Sequence, residues 1–409
     1  MSAMASVLFV HNGTAVSGSM KSLVYTIEIC KSIGYSCSVA CLKSDQTNPA
    51  FRRAGAEVIL LDSLPPYSIS PSFTKRISQS RFRRERESSK SYYAYWKTIL
   101  RRYGPFDIVF INSVVLSDLI CPSKRSGCIV IQVVRETVQK GPHFRLLGAL
   151  LEEADGVLFI SNYDRELFSL DETDTTVRVI PNPEDPLLFS CRPGERSALR
   201  NELEIRKDDI VIIYTGGDMY NKGGDILLGS MLKLDPYHSY VTIYAGRQNR
   251  IDSITLAHRL KSTLGSILRS QYFYHDRIAT LTRRINRKDY LRVIRIGLTT
   301  KISKYYNIAD ICVVPYRVPH QARPIFEAGM ARLPCIVSDF ACFTEELEHG
   351  LNGYLISHTD RYAWADAIQE LAQDRKMRLH MGRQNYIRAL KRHDISRISV
   401  ELGDFIEKV

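Results

Sequence analysis

The sequence predicts an α/β protein built from two doubly wound parallel-sheet domains, and three observations lead there. Short apolar runs of strand length alternate with helical runs through most of the chain. A proline-rich segment, Pro181-Asn182-Pro183-Glu184-Asp185-Pro186, divides that alternation into two series and suits a hinge better than an element interior. A length of 409 residues with 44% hydrophobic content is enough for two cores of ordinary size.

In the first series, residues 7–10 read as a strand, 20–32 as an amphipathic helix and 38–42 as a second strand. Strands at 58–61, 108–112, 129–134 and 157–160 continue it. The second series comprises strands at 210–214, 241–245, 311–314, 335–338 and 354–356. Ligands bind at the carboxyl ends of strands in open sheets of this kind, which makes Asn112, Ser113, Ser161 and Asn162 candidates on position alone.

The segment Arg323-Pro-Ile-Phe-Glu327-Ala-Gly-Met-Ala-Arg-Leu-Pro-Cys-Ile-Val-Ser-Asp339 carries the most chemical information. Pro324 suits a first helical turn, and Ile325, Phe326, Met330 and Leu333 have helical apolar spacing. Pro334 stops the helix, and Cys335-Ile336-Val337 then reads as a buried strand. A glutamate near a helix start can hold a sugar hydroxyl while free N–H groups beside it hold phosphate. An ordinary β-α-β element with a surface glutamate accounts for the same residues.

The neighbouring residues extend the pattern. Tyr305-Tyr306-Asn307-Ile308-Ala309-Asp310-Ile311-Cys312-Val313-Val314-Pro315 reads as a helix end entering a strand, and residues 344–356 as a helix, a glycine turn and a strand. Upstream lie Val179-Ile180-Pro181-Asn182, then Ile212-Ile213-Tyr214-Thr215-Gly216-Gly217, then Asn221-Lys222-Gly223-Gly224. The stretch His11-Asn12-Gly13-Thr14-Ala15-Val16-Ser17-Gly18-Ser19-Met20 forms a first glycine-containing loop. In order and spacing these stretches resemble the family 4 retaining glycosyltransferases (glycosyl transferases group 1), most closely over residues 305–356.

That resemblance implies the GT-B fold, two Rossmann-like domains facing across a cleft. Residues 1–184 would bind the acceptor, 185–385 the nucleotide sugar, and 386–409 would form a C-terminal helix crossing back. The implied activity is transfer of a hexosyl group, with retention and without metal, from a UDP- or GDP-linked sugar to a glycan or lipid-linked acceptor in polysaccharide or glycolipid assembly. The nucleotide sugar is a co-substrate, and no cofactor is expected.

Such a transfer requires positive charge where the diphosphate leaves. Lys222, in a polar turn beside Gly223 and Gly224, is the first candidate, although a lysine there also reads as an ordinary loop residue. Gly216 and Gly217 would let the chain pass under the diphosphate. By resemblance Glu327 binds the donor ribose; Arg323, at a position where the family is variable, is expected to reach the diphosphate, and Pro324, Ile325 and Phe326 complete the donor-binding helix start. Two departures stand out: the family's first glutamate of an E-x7-E pair falls at Pro319, with His320 and Gln321 displaced from it, and Gly217 stands where the family carries an arginine. They favour a second reading, a catalytically weakened nucleotide-sugar-binding or partner subunit. On the acceptor side Arg135 and Glu136 occupy the strand end where many members carry a histidine. They are expected to line the transfer site, Glu136 orienting an acceptor hydroxyl, or else to form a local ion pair. Gly13, Gly18, Asn112 and Ser161 are the acceptor-binding candidates.

The formal net charge is +12 and unevenly placed. Between Lys75 and Arg102 the net is +8, with Tyr92, Tyr93, Tyr95 and Trp96 among the basic residues; between Arg247 and Arg295 it is +9. Basic residues beside aromatics suit an anionic membrane surface, and solvated helices without a partner are the plain alternative. Charge alone also suits nucleic acid, but no zinc finger, RNP-type strand or helix-turn-helix pattern appears, so no nucleic-acid partner is expected. Nine cysteines without a Cys-x-x-Cys pair read as reduced core residues, and no metal site is expected. With no apolar run of bilayer length and no leader pattern, the expected location is cytoplasmic, with peripheral attachment to the inner face of the cell membrane.

Overall fold

The computed structural model describes residues 5–13, 16–64, 92–168, 170, 175–192, 194–248 and 274–409. The chain divides into two units, Met1–Glu184 with His393–Val409, and Asp185–Arg392. Each is a Rossmann-like unit whose named strands all run parallel.

The first unit contains β1 (Ser6–Val10), β2 (Ser36–Leu42), β3 (Glu57–Leu61), β4 (Ile108–Ile111), β5 (Ile129–Val134), β6 (Gly156–Phe159) and β7 (Thr176–Val179). Their order in the sheet is β3-β2-β1-β4-β5-β6-β7. In β1, Leu8 and Val10 enter one core with Val109, Ile111 and Val130, while Val7 and Phe9 enter the other with Phe110, Ile131 and Leu158. Because both faces are covered, the central strands are continuous apolar runs rather than alternating ones. The helix Gly18–Ser32 starts where Ser17 Oγ accepts from Met20 N, and buries Leu23 and Ile27. The C-terminal helix Ile395–Ile406 packs Ile398, Leu402 and Phe405 into the same core of this unit.

The second unit contains β8 (Ile210–Tyr214), β9 (Tyr240–Ala245), β10 (Leu291–Ile296), β11 (Ile311–Val314), β12 (Cys335–Ser338) and β13 (Gly353–Ile356), ordered β10-β9-β8-β11-β12-β13. Helix Arg323–Met330 joins β11 to β12 with Pro324 in its first turn, and its Ile325 and Phe326 side chains are buried.

Several expectations need correcting. Strands β7 and β10 were not anticipated. Both lie at sheet edges, where Arg178, Arg292 and Arg295 interrupt the apolar run without having to be buried. The helix expected from residue 344 is a turn. Arg388 donates to the carbonyls of Thr344 and Glu345, and Asn352 bonds Glu346 O and Glu348 N, so side chains satisfy the backbone that a helix would have paired. The boundary expected at 386 falls inside helix Arg375–His393, and the chain rejoins the first unit at His393. Tyr92 and Trp96, expected at a membrane surface, belong to the core. Tyr92 Oη donates to Ser63 O at 2.7 Å and Trp96 Nε1 to Ser123 Oγ at 2.8 Å. Residues 75–91 of the first basic stretch and 249–273 of the second, like Thr14 and Ala15 of the first loop, lie outside the described residues.

Candidate functional site

In the second unit the candidate donor residues gather at the carboxyl ends of β8 and β11. From β8 the chain passes through Gly216 and Gly217 to a 3-10 turn at Tyr220–Lys222 and then enters helix Gly224–Met231. The glycines are required by the protein's own packing. A Cβ on Gly216 would overlap the Tyr214 hydroxyl and the Lys222 side chain, one on Gly223 would strike the Pro315 carbonyl, and Gly217 and Gly223 have φ of +58° and +68°. Tyr214 and Tyr244 hydroxyls both donate to Gly217 O, at 3.0 and 2.8 Å, which fixes the turn from beneath.

This geometry places Lys222 Nζ 3.9 Å from the ring centroid of Tyr316, just after β11. Burial pulls the Lys222 amine down to about 7. The His320 ring stacks on the same tyrosine, centroids 6.4 Å apart at 26°. Its pKa lies well below the ordinary histidine range, because of burial first and the Lys222 charge second. Glu327 is within electrostatic reach of Tyr316, and one of its oxygens takes Arg323 Nε at 3.3 Å. Arg323 also lies over Phe326 at 4.9 Å. The residue expected to reach for diphosphate is thus tied to the carboxylate expected to hold ribose. Ile325 and Phe326 are core side chains that can offer a ligand only backbone.

A network the sequence reading missed braces the Lys222 turn. Asp225 is fully buried and pairs with Arg317 at 2.6 Å, Arg277 at 3.1 Å and Arg361 at 4.0 Å. Arg317 also donates its side chain to Tyr220 O and its backbone N–H to Asn221 O. In the sequence Asp225 is one polar position in an apolar helix, and nothing local marks its three distant partners.

In the first unit Arg135 and Glu136 turn to different partners. Arg135 is buried, donating through Nε to Asn112 Oδ1 at 2.8 Å and through a terminal nitrogen to Asn182 Oδ1 at 2.5 Å. His393 Nδ1 lies 2.8 Å from Asn182 O. Glu136 accepts from Ser113 Oγ at 2.6 Å and Val114 N at 3.2 Å, capping the turn Val114–Leu119; burial raises its pKa and these two bonds oppose the rise. Ser161 caps helix Asn162–Leu167 and is paired with Asp164 at 2.6 Å, so it serves the fold first. Gly18 begins helix Gly18–Ser32, its carbonyl accepting from Ser22 Oγ. Gly13 lies against the imidazole of His11, where a Cβ would overlap the ring. His11 is completely buried against Phe51, and neither ring nitrogen has a hydrogen-bond partner. Burial pulls it down to about 4, opposed by Asp45 and assisted by Arg135. Glu184, from the proline-rich segment, is buried with Lys21 at 2.7 Å and Tyr25 Oη at 2.9 Å. In the sequence His11, Asn182 and Glu184 lie inside motifs that give them no role of their own.

Among the described residues no cluster of three or more His, Cys, Asp or Glu is arranged to hold a metal ion.

Comparison with known proteins adds to this geometry. Residues 195–388 match the family "Glycosyl transferases group 1". A D-inositol 3-phosphate glycosyltransferase of Nocardia farcinica is 22% identical over 241 residues, 58% of this chain and 47% of the relative. The chain spans about half the length of the curated relatives it matches. Among solved structures, Anabaena Alr3699/HepE in complex with UDP and glucose superposes with a TM-score of 0.74 at 16% identity, covering 99% of this chain and 100% of that one. Sucrose-phosphate synthase from Thermosynechococcus elongatus does so with a TM-score of 0.70 at 17% identity, covering 99% and 98%. The fold is GT-B.

Proposed function

Because residues 195–388 match the family glycosyl transferases group 1, we propose that this protein is a retaining glycosyltransferase. It would move a hexosyl group from a nucleotide-diphosphate sugar to a glycan or lipid-linked acceptor. The observation that carries the reading is the Lys222 ammonium held on the Tyr316 ring, close to a glutamate-bearing helix start. As the glycosidic C–O bond breaks, negative charge develops on the departing diphosphate, and a positioned cation favours the transition state over the ground state. Glu327 would accept the ribose hydroxyls through its carboxylate. A leaving-group phosphate oxygen takes the acceptor proton on the same face, so retention needs orientation rather than a protein nucleophile. The first unit would hold the acceptor, with Arg135 fixed by Asn112 and Asn182. We propose further that the reaction uses no cofactor or metal and serves polysaccharide or glycolipid assembly at the cytoplasmic membrane face.

The Anabaena neighbour was solved with UDP and glucose, so UDP-sugars head the donor screen, followed by GDP-sugars. Thermal stabilisation by one nucleotide sugar and its turnover are expected, with Lys222→Ala lowering turnover by about 10² to 10³. Near-normal turnover in that variant would remove Lys222 from the chemistry. The second reading, a weakened subunit, is favoured by Pro319 and by the Arg323–Glu327 pairing. It would be preferred if the protein bound the donor yet neither transferred nor hydrolysed it.

A further inference from the structure

The loop between β11 and helix Arg323–Met330 carries one group that the donor reading leaves unused. His320 is half-buried and stacked on Tyr316, the ring that also carries the Lys222 amine. Lys222, from the turn after β8, acts on it electrostatically, and the Tyr316 ring it stacks on is itself within electrostatic reach of Cys312 in β11 and of Glu327, which pairs with Arg323, in the following helix. Among the described residues no carboxylate pairs with Lys222, and the nearby Glu327 is already joined to Arg323. An ammonium and an imidazole thus share one aromatic support, with no anion among the described residues paired to the ammonium. We propose that His320 is a further donor-binding residue, its imidazole N–H donating to a phosphate oxygen of the nucleoside diphosphate alongside Lys222.

This rests on the donor reading above and adds a residue to it. The free imidazole is neutral at pH 7, held so by burial and by the lysine charge. A neutral imidazole still offers one donor. A bound diphosphate offsets the Lys222 charge and raises the imidazole pKa, so affinity for UDP should increase as pH falls.

The test measures UDP and uridine binding by titration calorimetry in wild type, Lys222→Ala, His320→Phe and His320→Gln. GDP and guanosine replace them if the donor screen selects guanine. Phenylalanine keeps the stack on Tyr316 and removes the N–H; glutamine restores a donor. His320→Phe should weaken UDP about tenfold, as loss of a hydrogen bond to a charged group does. Uridine affinity and the melting temperature should stay unchanged, and His320→Gln should recover part of the loss. UDP binding by His320→Phe equal to wild type, while Lys222→Ala binds weakly, would overturn this proposal and leave the donor reading standing. Equal losses for UDP and uridine would also overturn it, since His320 would then act only through packing. A wild type that binds neither nucleotide removes both readings together.

Discussion

The proposed reaction requires Lys222 as a cation in a place that favours the neutral amine. Burial brings it from an ordinary value of 10.5 to about 7, so between those values the unfolded chain holds a proton that the folded one has released. Stability from this group therefore rises with pH from 7 to 10.5. Lys222→Met keeps the apolar length and removes the buried charge. It is expected to raise the melting temperature at pH 7 while lowering turnover by about 10² to 10³, and to lose the upward slope of melting temperature against pH. A variant as pH-sensitive as wild type would show that the slope arises elsewhere. His11 has the same sign in another window. Its folded value is about 4 against an ordinary 6.5, so acid protonates the unfolded chain first and stability falls as pH drops from 6.5 toward 4, by at most about 1.4 kcal/mol per pH unit. Denaturant titrations of His11→Leu should show a shallower fall across that window, and an unchanged slope would clear His11 of the acid sensitivity.

Ser161 shows how an element end can imitate a site. Serines and asparagines at strand carboxyl ends suit ligands and helix caps alike, and here the hydroxyl accepts from Asp164 N and pairs with its carboxylate. Ser161→Ala should cost about 1 kcal/mol of stability, as cap removals do, with the acceptor KM unchanged. A raised KM at unchanged stability would return Ser161 to the acceptor site. The same ambiguity explains what was legible in the sequence. Central strands such as β1, β4 and β8 are buried on both faces, so their apolar runs announce them. Edge strands β7 and β10 keep arginines and do not. Lys222 and Glu327 were legible as candidates because each lies within a short motif. The Tyr316 ring that links Lys222 to His320, and the Asp225 network with Arg277, Arg317 and Arg361, join residues far apart in the chain. Local pattern carries no record of such pairings.

Over the whole molecule the net charge of +12 asks which cations remain available to a partner. Part of the second basic stretch is already engaged, Arg277 with Asp225, Arg295 with Asp218 and Arg292 with Glu204, while Arg283, Arg284, Arg287 and Lys288 are exposed. In the first stretch Arg101 and Arg102 are exposed at the end of the helix over residues 92–103. Its aromatics Tyr92 and Trp96 are committed to the core, so these two cannot anchor in lipid, and the attraction expected of Arg101 and Arg102 is electrostatic. No helix among the described residues is long and apolar enough to cross a membrane. Each basic side chain near an anionic surface contributes about 1 kcal/mol at physiological salt, and the attraction collapses as the screening length shortens to about 3 Å near 1 M salt. The protein should therefore sediment with vesicles containing phosphatidylserine at low salt, stay in solution with phosphatidylcholine alone, and release fully at high salt. Arg101→Glu with Arg102→Glu should weaken the binding without changing donor affinity. Attachment that survives 1 M salt would mean that apolar groups insert after all. No attachment at low salt, with tight binding to DNA or RNA under the same conditions, would assign the charge to nucleic acid instead.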